Sequence, residues 1–291
     1  MTFIATLEAW PPLYLVTVAV VGLAFGSFLN VVIHRLPLMM FAEWRQQCCE
    51  LLEIENADQS ESPLSLSHPR SNCPHCGHRI KAIENIPVIS YLFLRGRCSA
   101  CAARISPRYP LVELTSAAVA VIVAWKFGVS LQAVLAMLLS WALICLTLID
   151  MDHQLLPDDI TLPLLWLGLI ANMFGLFTDL HSSLIGAVAG YLAFWSIYIL
   201  FKFTTGKEGM GYGDFKLLAM LGAWLGWQML PLIIILSSMV GAIVGISLIV
   251  LTRHERSQSI PFGPYIAVAG WIALIWGPAI TNQYLLWSNG A

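Results

Sequence analysis

Residues 131–150 read LQAVLAMLLSWALICLTLID, nineteen apolar or uncharged residues closed by a carboxylate. A helix needs about 20 such residues to cross a hydrocarbon core, so this stretch reads as a membrane span ending in Asp150. Runs of the same kind occur on both sides of it, at 12–33, 110–128, 160–178, 183–203, 215–229, 231–251 and 264–287. The 215–229 run (FKLLAMLGAWLGWQM) is short and Gly-rich, which also suits a re-entrant segment. Only 11% of the 291 residues are charged, against about a quarter in soluble domains. The expected fold is therefore all-α: a polytopic membrane protein of about eight transmembrane helices with one sizeable loop outside the bilayer. A net charge of −2 excludes the basic surface that nucleic-acid binding demands.

Basic residues set the orientation. With the N-terminus outside, segments 34–110, 150–159, 204–214 and 252–263 face the cytoplasm. Lys202 and Lys216 flank the third segment and Arg253 and Arg256 lie in the fourth; of 15 basic residues only Lys126 falls outside. Three regions follow: a first span (1–34), a cytoplasmic loop (35–109) and a seven-helix membrane domain (110–291).

The loop begins with an acidic stretch, helical and then flexible, and continues into CPHC (Cys73, Cys76) and CSAC (Cys98, Cys101), 21 residues apart. Each pair continues alike, as Gly-His-Arg-Ile and Ala-Ala-Arg-Ile. Two such turns can set four thiolates tetrahedrally around one Zn²⁺. Four thiolates leave no open coordination position, so the expected zinc, one per chain, is structural. His75 and His78 are surplus ligands and read as surface residues. Cys48, Cys49 and Cys145 read as small apolar residues.

Carboxylates near spans are costly and are functional candidates by default. Asp158 and Asp159 follow Pro157 and precede an apolar run, the placement of helix N-caps; Asp179 reads as a solvated turn residue. Asp150 closes a helix, where the macrodipole disfavours negative charge, and nothing local accounts for it. Asp152, in the same turn, suits a supporting part. Asp214 opens the 215–229 run behind alternating glycines, Gly209-Met-Gly211-Tyr-Gly213-Asp214. Glycines permit close backbone approach, and an extended peptide docking beside Gly211 and Gly213 would use it. Two carboxylates at one depth, within reach of one water, share a proton, one serving as base and the other as acid.

These segments resemble a known family, the bifunctional type IV prepilin peptidases (leader peptidase/N-methyltransferases). The resemblance rests on GSFLNVVIHRLP (26–37), the two C-x-x-C pairs, RYPLVEL (108–114), IDMDHQLLPD (149–158), GMGYGDFKL (209–217) and PFGPY (261–265). It implies an aspartyl endopeptidase with Asp150 and Asp214 as the catalytic pair. It further implies removal of the basic leader of prepilins or pseudopilins after a Gly, at the cytoplasmic face of the bacterial inner membrane, for pili or type II secretion. The new N-terminus would then be methylated from S-adenosylmethionine. The methyl-donor site is not legible, although Gly96 matches a glycine tied to methylation in that family and Glu113 is a second candidate. A turn accounts equally well for Gly96, and a capping or interfacial carboxylate for Glu113. Ala102, where a Gly often follows the second pair, departs from the pattern. Rival readings are a general intramembrane aspartyl protease, which would place its carboxylates deeper in their spans, and a transporter with a zinc docking loop, which would show charges at span centres. A methyltransferase whose aspartates are only caps is the third.

Overall fold

The computed structural model describes residues 3–54, 64–207, 209–252 and 260–288. Part of the acidic loop stretch, and Arg253 and Arg256, fall outside the described residues. Among the described residues ten α-helices follow one another: α1 (Phe3–Ala9), α2 (Pro11–Leu51), α3 (Ile89–Phe93), α4 (Arg108–Phe127), α5 (Leu131–His153), α6 (Asp158–Met173), α7 (Leu180–Thr205), α8 (Tyr212–Leu225), α9 (Leu230–Thr252) and α10 (Gly263–Ser288). Among the described residues there is no strand, only two isolated bridges. The all-α expectation holds.

Among the described residues six helices, α2, α4, α5, α7, α9 and α10, are long and apolar enough to cross a membrane. The expectation of eight crossings is not established. Helix α6 has 16 residues and α8 has 14, or about 24 and 21 Å at 1.5 Å per residue, short of a ~30 Å core. Gly226, with φ +79°, ends α8 and turns the chain into a 3₁₀ turn before α9. An apolar run does not tell whether lipid or protein surrounds a helix, and ten residues of α8 are buried.

The chain divides into two compact units, 1–133 and 134–291. In the first, α2 packs on α4 at small residues. A Cβ on Gly22 would lie 2.7 Å from Ala117 Cα, and one on Gly26 2.6 Å from Glu113 Cα. Small residues four apart are what let backbones approach closely in a bilayer. The Ser116 hydroxyl donates to Gly22 O at 2.7 Å, and Tyr14 donates to Gly128 O at 2.8 Å. Arg35, low on α2, donates to the carbonyls of Ser65 (2.9 Å) and Pro69 (2.7 Å) and so ties down the start of the cysteine module.

In the second unit α8 is the centre. A Cβ on Gly186 of α7 would lie 2.3 Å from Gly222 O, and one on Gly190 2.7 Å from Leu218 O, so α7 and α8 meet backbone to backbone. On the other side, Gly168 of α6 makes room for the buried Trp224 ring, whose Nε1 donates to Leu164 O at 2.8 Å. Asn172 completes the grip: its Nδ2 donates to Ala223 O and Trp224 O, the carbonyls left open at the end of α8. Trp271 on α10 reaches Ser140 on α5 at 3.1 Å.

Candidate active site

The packing around α8 fixes where its first turn points. Asp214 lies in that turn and is 7% exposed; Asp150, in the last turn of α5, is 6% exposed. The two carboxylates are close enough to interact electrostatically, so two residues 64 positions apart in sequence share one site. Leu156 stands between their surroundings: a Cβ on Gly213 would lie 2.8 Å from Leu156 Cβ, and one on Gly263 3.2 Å from its Cδ1.

Each carboxylate is held by a glycine backbone. The Gly211 N–H donates to Asp214 and the Gly263 N–H to Asp150. Asp150 Oδ2 is nonetheless buried with no hydrogen-bond partner among the described residues. A buried carboxylate oxygen without a donor is expensive.

The glycine segment ahead of Asp214 is extended only as far as Gly211 (φ −79°, ψ 150°). Gly213 already lies in α8, and its lack of a side chain accommodates Leu156. A Cβ on Gly209 would lie 2.7 Å from the Phe201 ring. Aromatic rings line this end of the unit, with Tyr198 stacked near Tyr212 (centroids 5.4 Å) and Phe215 (5.6 Å). Lys202 Nζ donates to the Tyr198 hydroxyl at 3.1 Å.

Asp158 is not the N-cap of α6. Pro157 occupies that position and makes no side-chain cap. Asp158 instead receives both contacts of Lys216 Nζ, at 2.6 and 2.8 Å, across to the first turn of α8. Asp179 is more than a solvated turn residue: it caps α7, accepting from Ser182 N at 2.9 Å. Asp152 is exposed.

The four cysteines of the first unit converge. Their sulfurs all lie within 4.8 Å of one another, with Cys73 Sγ and Cys101 Sγ 3.8 Å apart. A tetrahedron with Zn–S of 2.3 Å has edges of about 3.8 Å, so the donor set fits zinc. The two knuckles have the same backbone. Cys73 N bonds His78 O and Gly77 N bonds Cys73 O, both at 2.9 Å; Cys98 N bonds Ala103 O at 2.8 Å and Ala102 N bonds Cys98 O at 3.0 Å. Ala102 takes the left-handed turn (φ +57°) that Gly77 takes (φ +69°), so the departure from glycine costs about 1–2 kcal/mol and leaves the geometry intact.

Glu84 joins the knuckles, and no spacing rule pointed to it. It accepts from Lys81 N at 2.8 Å and from the Ser99 hydroxyl at 2.6 Å, and lies 3.3 Å from His78 Nε2. The Lys81 N–H and the Ser99 hydroxyl hold its carboxyl down at about 2.

Both methyl-donor candidates are occupied within the protein. Glu113 is buried and accepts from the Val88 N–H at 2.8 Å, at a residue with positive φ (+59°). Gly96 has φ +67°, and a Cβ there would lie 2.9 Å from the Tyr91 hydroxyl oxygen. The turn reading of Gly96 and the structural reading of Glu113 therefore each have a concrete basis.

Two family models match the chain: a bacterial peptidase A24 N-terminal domain over residues 20–127 and the type IV leader peptidase family over residues 137–246. Curated relatives carry the name prepilin leader peptidase/N-methyltransferase. That of Stutzerimonas stutzeri is 58% identical over 98% of both chains. That of Aeromonas hydrophila is 56% identical over 94% of this chain and 95% of its own. That of Legionella pneumophila is 46% identical over 94% of each. No solved structure matches the chain.

Proposed function

Because the chain belongs to the type IV leader peptidase family, we propose that it removes the basic leader of type IV prepilins or pseudopilins after a Gly and then methylates the new N-terminal amine from S-adenosylmethionine. The observation that carries the peptidase half is the pair of buried carboxylates, Asp150 and Asp214, brought together from separate helices. One carboxylate, ionised, takes a proton from a water whose oxygen attacks the scissile carbonyl carbon. The other, protonated, gives its proton to the carbonyl oxygen, and collapse of the tetrahedral intermediate expels the protonated amine. Gly211 and the extended backbone before α8 are where we place the substrate strand, with Gly213 allowing its approach.

The enzyme is placed in the bacterial inner membrane as a multi-pass protein, with Asp150 and Asp214 at the cytoplasmic face. Lys202 and Lys216 lie at the same end of the second unit as the two aspartates, as the positive-inside rule requires. A precursor anchored by its own apolar helix would present its basic leader at that face, next to acidic groups that attract it.

Methylation is assigned to the cytoplasmic loop, 35–109, and cleavage to 110–291. Cys73, Cys76, Cys98 and Cys101 would hold the zinc, which supplies cross-linking of the two knuckles in a loop too small for its own core. Purified chain incubated with a precursor and S-adenosylmethionine should yield, by mass spectrometry, a mature product lighter by its leader and heavier by one methyl. An intact precursor after prolonged incubation would reject the reading.

A further inference from the structure

The search for what holds Asp150 leads to the start of α10. Asp150 lies at the C-terminal end of α5, where the helix dipole repels a carboxylate, yet it is buried. The opposing end of another helix supplies compensation. Helix α10 has 26 residues, and its first N–H groups have no partner within the helix; that of Gly263 donates to Asp150. The segment that delivers this N–H is itself pinned. Phe262 packs on the buried Phe194 ring (centroids 5.8 Å) and on Tyr265 (6.2 Å), and its carbonyl accepts from Tyr265 N and Ile266 N.

Gly263 does not have a left-handed φ, so no backbone conformation demands glycine there. Space does. A Cβ would sit 2.6 Å from Asp150 Oδ2 and 3.1 Å from its Cγ. Oδ2 is the buried oxygen that has no hydrogen-bond partner among the described residues. An alanine would therefore intrude on the unpartnered side of the carboxylate while leaving its own N–H in place.

We propose that Gly263 is a positioning residue for peptide hydrolysis: its backbone N–H aims the Asp150 carboxylate, and its missing side chain leaves that carboxylate the room to keep its place. This deepens the peptidase reading and rests on it. Restoring an ordinary contact of 3.4 Å requires a shift of about 0.8 Å, and a displacement near 1 Å at a reacting group costs on the order of 10²-fold in rate.

The test measures leader cleavage by the full chain in detergent for wild type, Gly263→Ala and Asp150→Asn side by side. The inference expects Asp150→Asn to be inactive and Gly263→Ala to lose on the order of 10²-fold in kcat, with KM within roughly threefold of wild type, because substrate contacts are untouched. A wild-type kcat for Gly263→Ala beside an inactive Asp150→Asn overturns this inference alone. A fully active Asp150→Asn overturns the peptidase reading and the inference with it. If Gly263→Ala does not fold, the Asp150→Ala background decides, since removing the carboxylate removes the clash. Gly263→Ala should then be tolerated, with a melting temperature close to that of Asp150→Ala alone. Equal damage in both backgrounds overturns the proposal.

Discussion

Replacing Asn172 by Ala should unfasten α8 from α6 at the end away from Asp214. Asn172 is 1% exposed. Its Nδ2 reaches Ala223 O (2.8 Å), Trp224 O (3.0 Å) and Ser183 Oγ (3.3 Å), and its Oδ1 accepts from Phe177 N (3.0 Å) and Thr178 N (3.1 Å). Polar contacts between membrane helices average about 0.6 kcal/mol each, so losing the three that reach α7 and α8 costs about 2 kcal/mol. Reversible unfolding in mixed micelles with increasing SDS fraction, followed by circular dichroism, reads that loss directly. Asn172→Asp is the sharper companion, because it keeps the volume and the acceptor but replaces the donor. It should lose at least as much as Ala, since a carboxylate oxygen would face two carbonyls. A loss below about 1 kcal/mol in Ala, or a neutral Asp variant, would refute the claim that this amide holds α8 in place.

Three further outcomes are expected. Gly186→Ala places a methyl 2.3 Å from Gly222 O; the α7–α8 contact must open, and cleavage and stability should fall together, by more than about 2 kcal/mol in the same SDS titration. Breaking the Lys216–Asp158 pair with Lys216→Met should cost under about 1 kcal/mol in stability, as expected of a half-exposed ion pair. Its effect should appear instead in leader cleavage, and Lys216→Arg should restore activity; equal rates for Met and wild type would show that the pair does not position Asp214. Glu84→Ala should release zinc to a chromogenic chelator on the order of tenfold faster than wild type, as loss of a supporting carboxylate generally does. An unchanged release rate would mean that the knuckles need no tie.

Much of this molecule was legible along the chain because the determinants are short-range. The apolar runs placed the membrane-domain helices within about five residues, although α2 continues to Leu51, well past the run at 12–33, and the two C-x-x-C repeats placed four sulfurs that do converge. Asp150 and Asp214 stood out because a carboxylate at the end of an apolar run is costly wherever the run ends. What escaped was the packing partner of most of these groups. The 215–229 run had the hydropathy of a span, but hydropathy is the same whether lipid or protein surrounds a helix, and only the grip of Asn172 and Trp224 shows α8 enclosed by protein. Asp158 looked like a cap because its sequence neighbours are those of a cap, whereas its partner, Lys216, lies 58 residues on. Glu84 was one loop carboxylate among several until the fold brought Ser99 and His78 to it. Ala102 shows the reverse case, a departure from the usual residue that the backbone absorbs with a left-handed turn.

The most direct test of the central claim replaces the two aspartates singly and separates the two reactions. Asp150→Asn and Asp214→Asn, purified beside wild type, are each given an intact precursor and, separately, a pre-cleaved pilin with S-adenosylmethionine. The account predicts leader removal down by at least ~10³-fold in both variants, the order expected when a general acid or base is lost, with methylation of the pre-cleaved pilin and zinc content unchanged. Cleavage by either variant at near the wild-type rate would contradict it and return that carboxylate to a structural part.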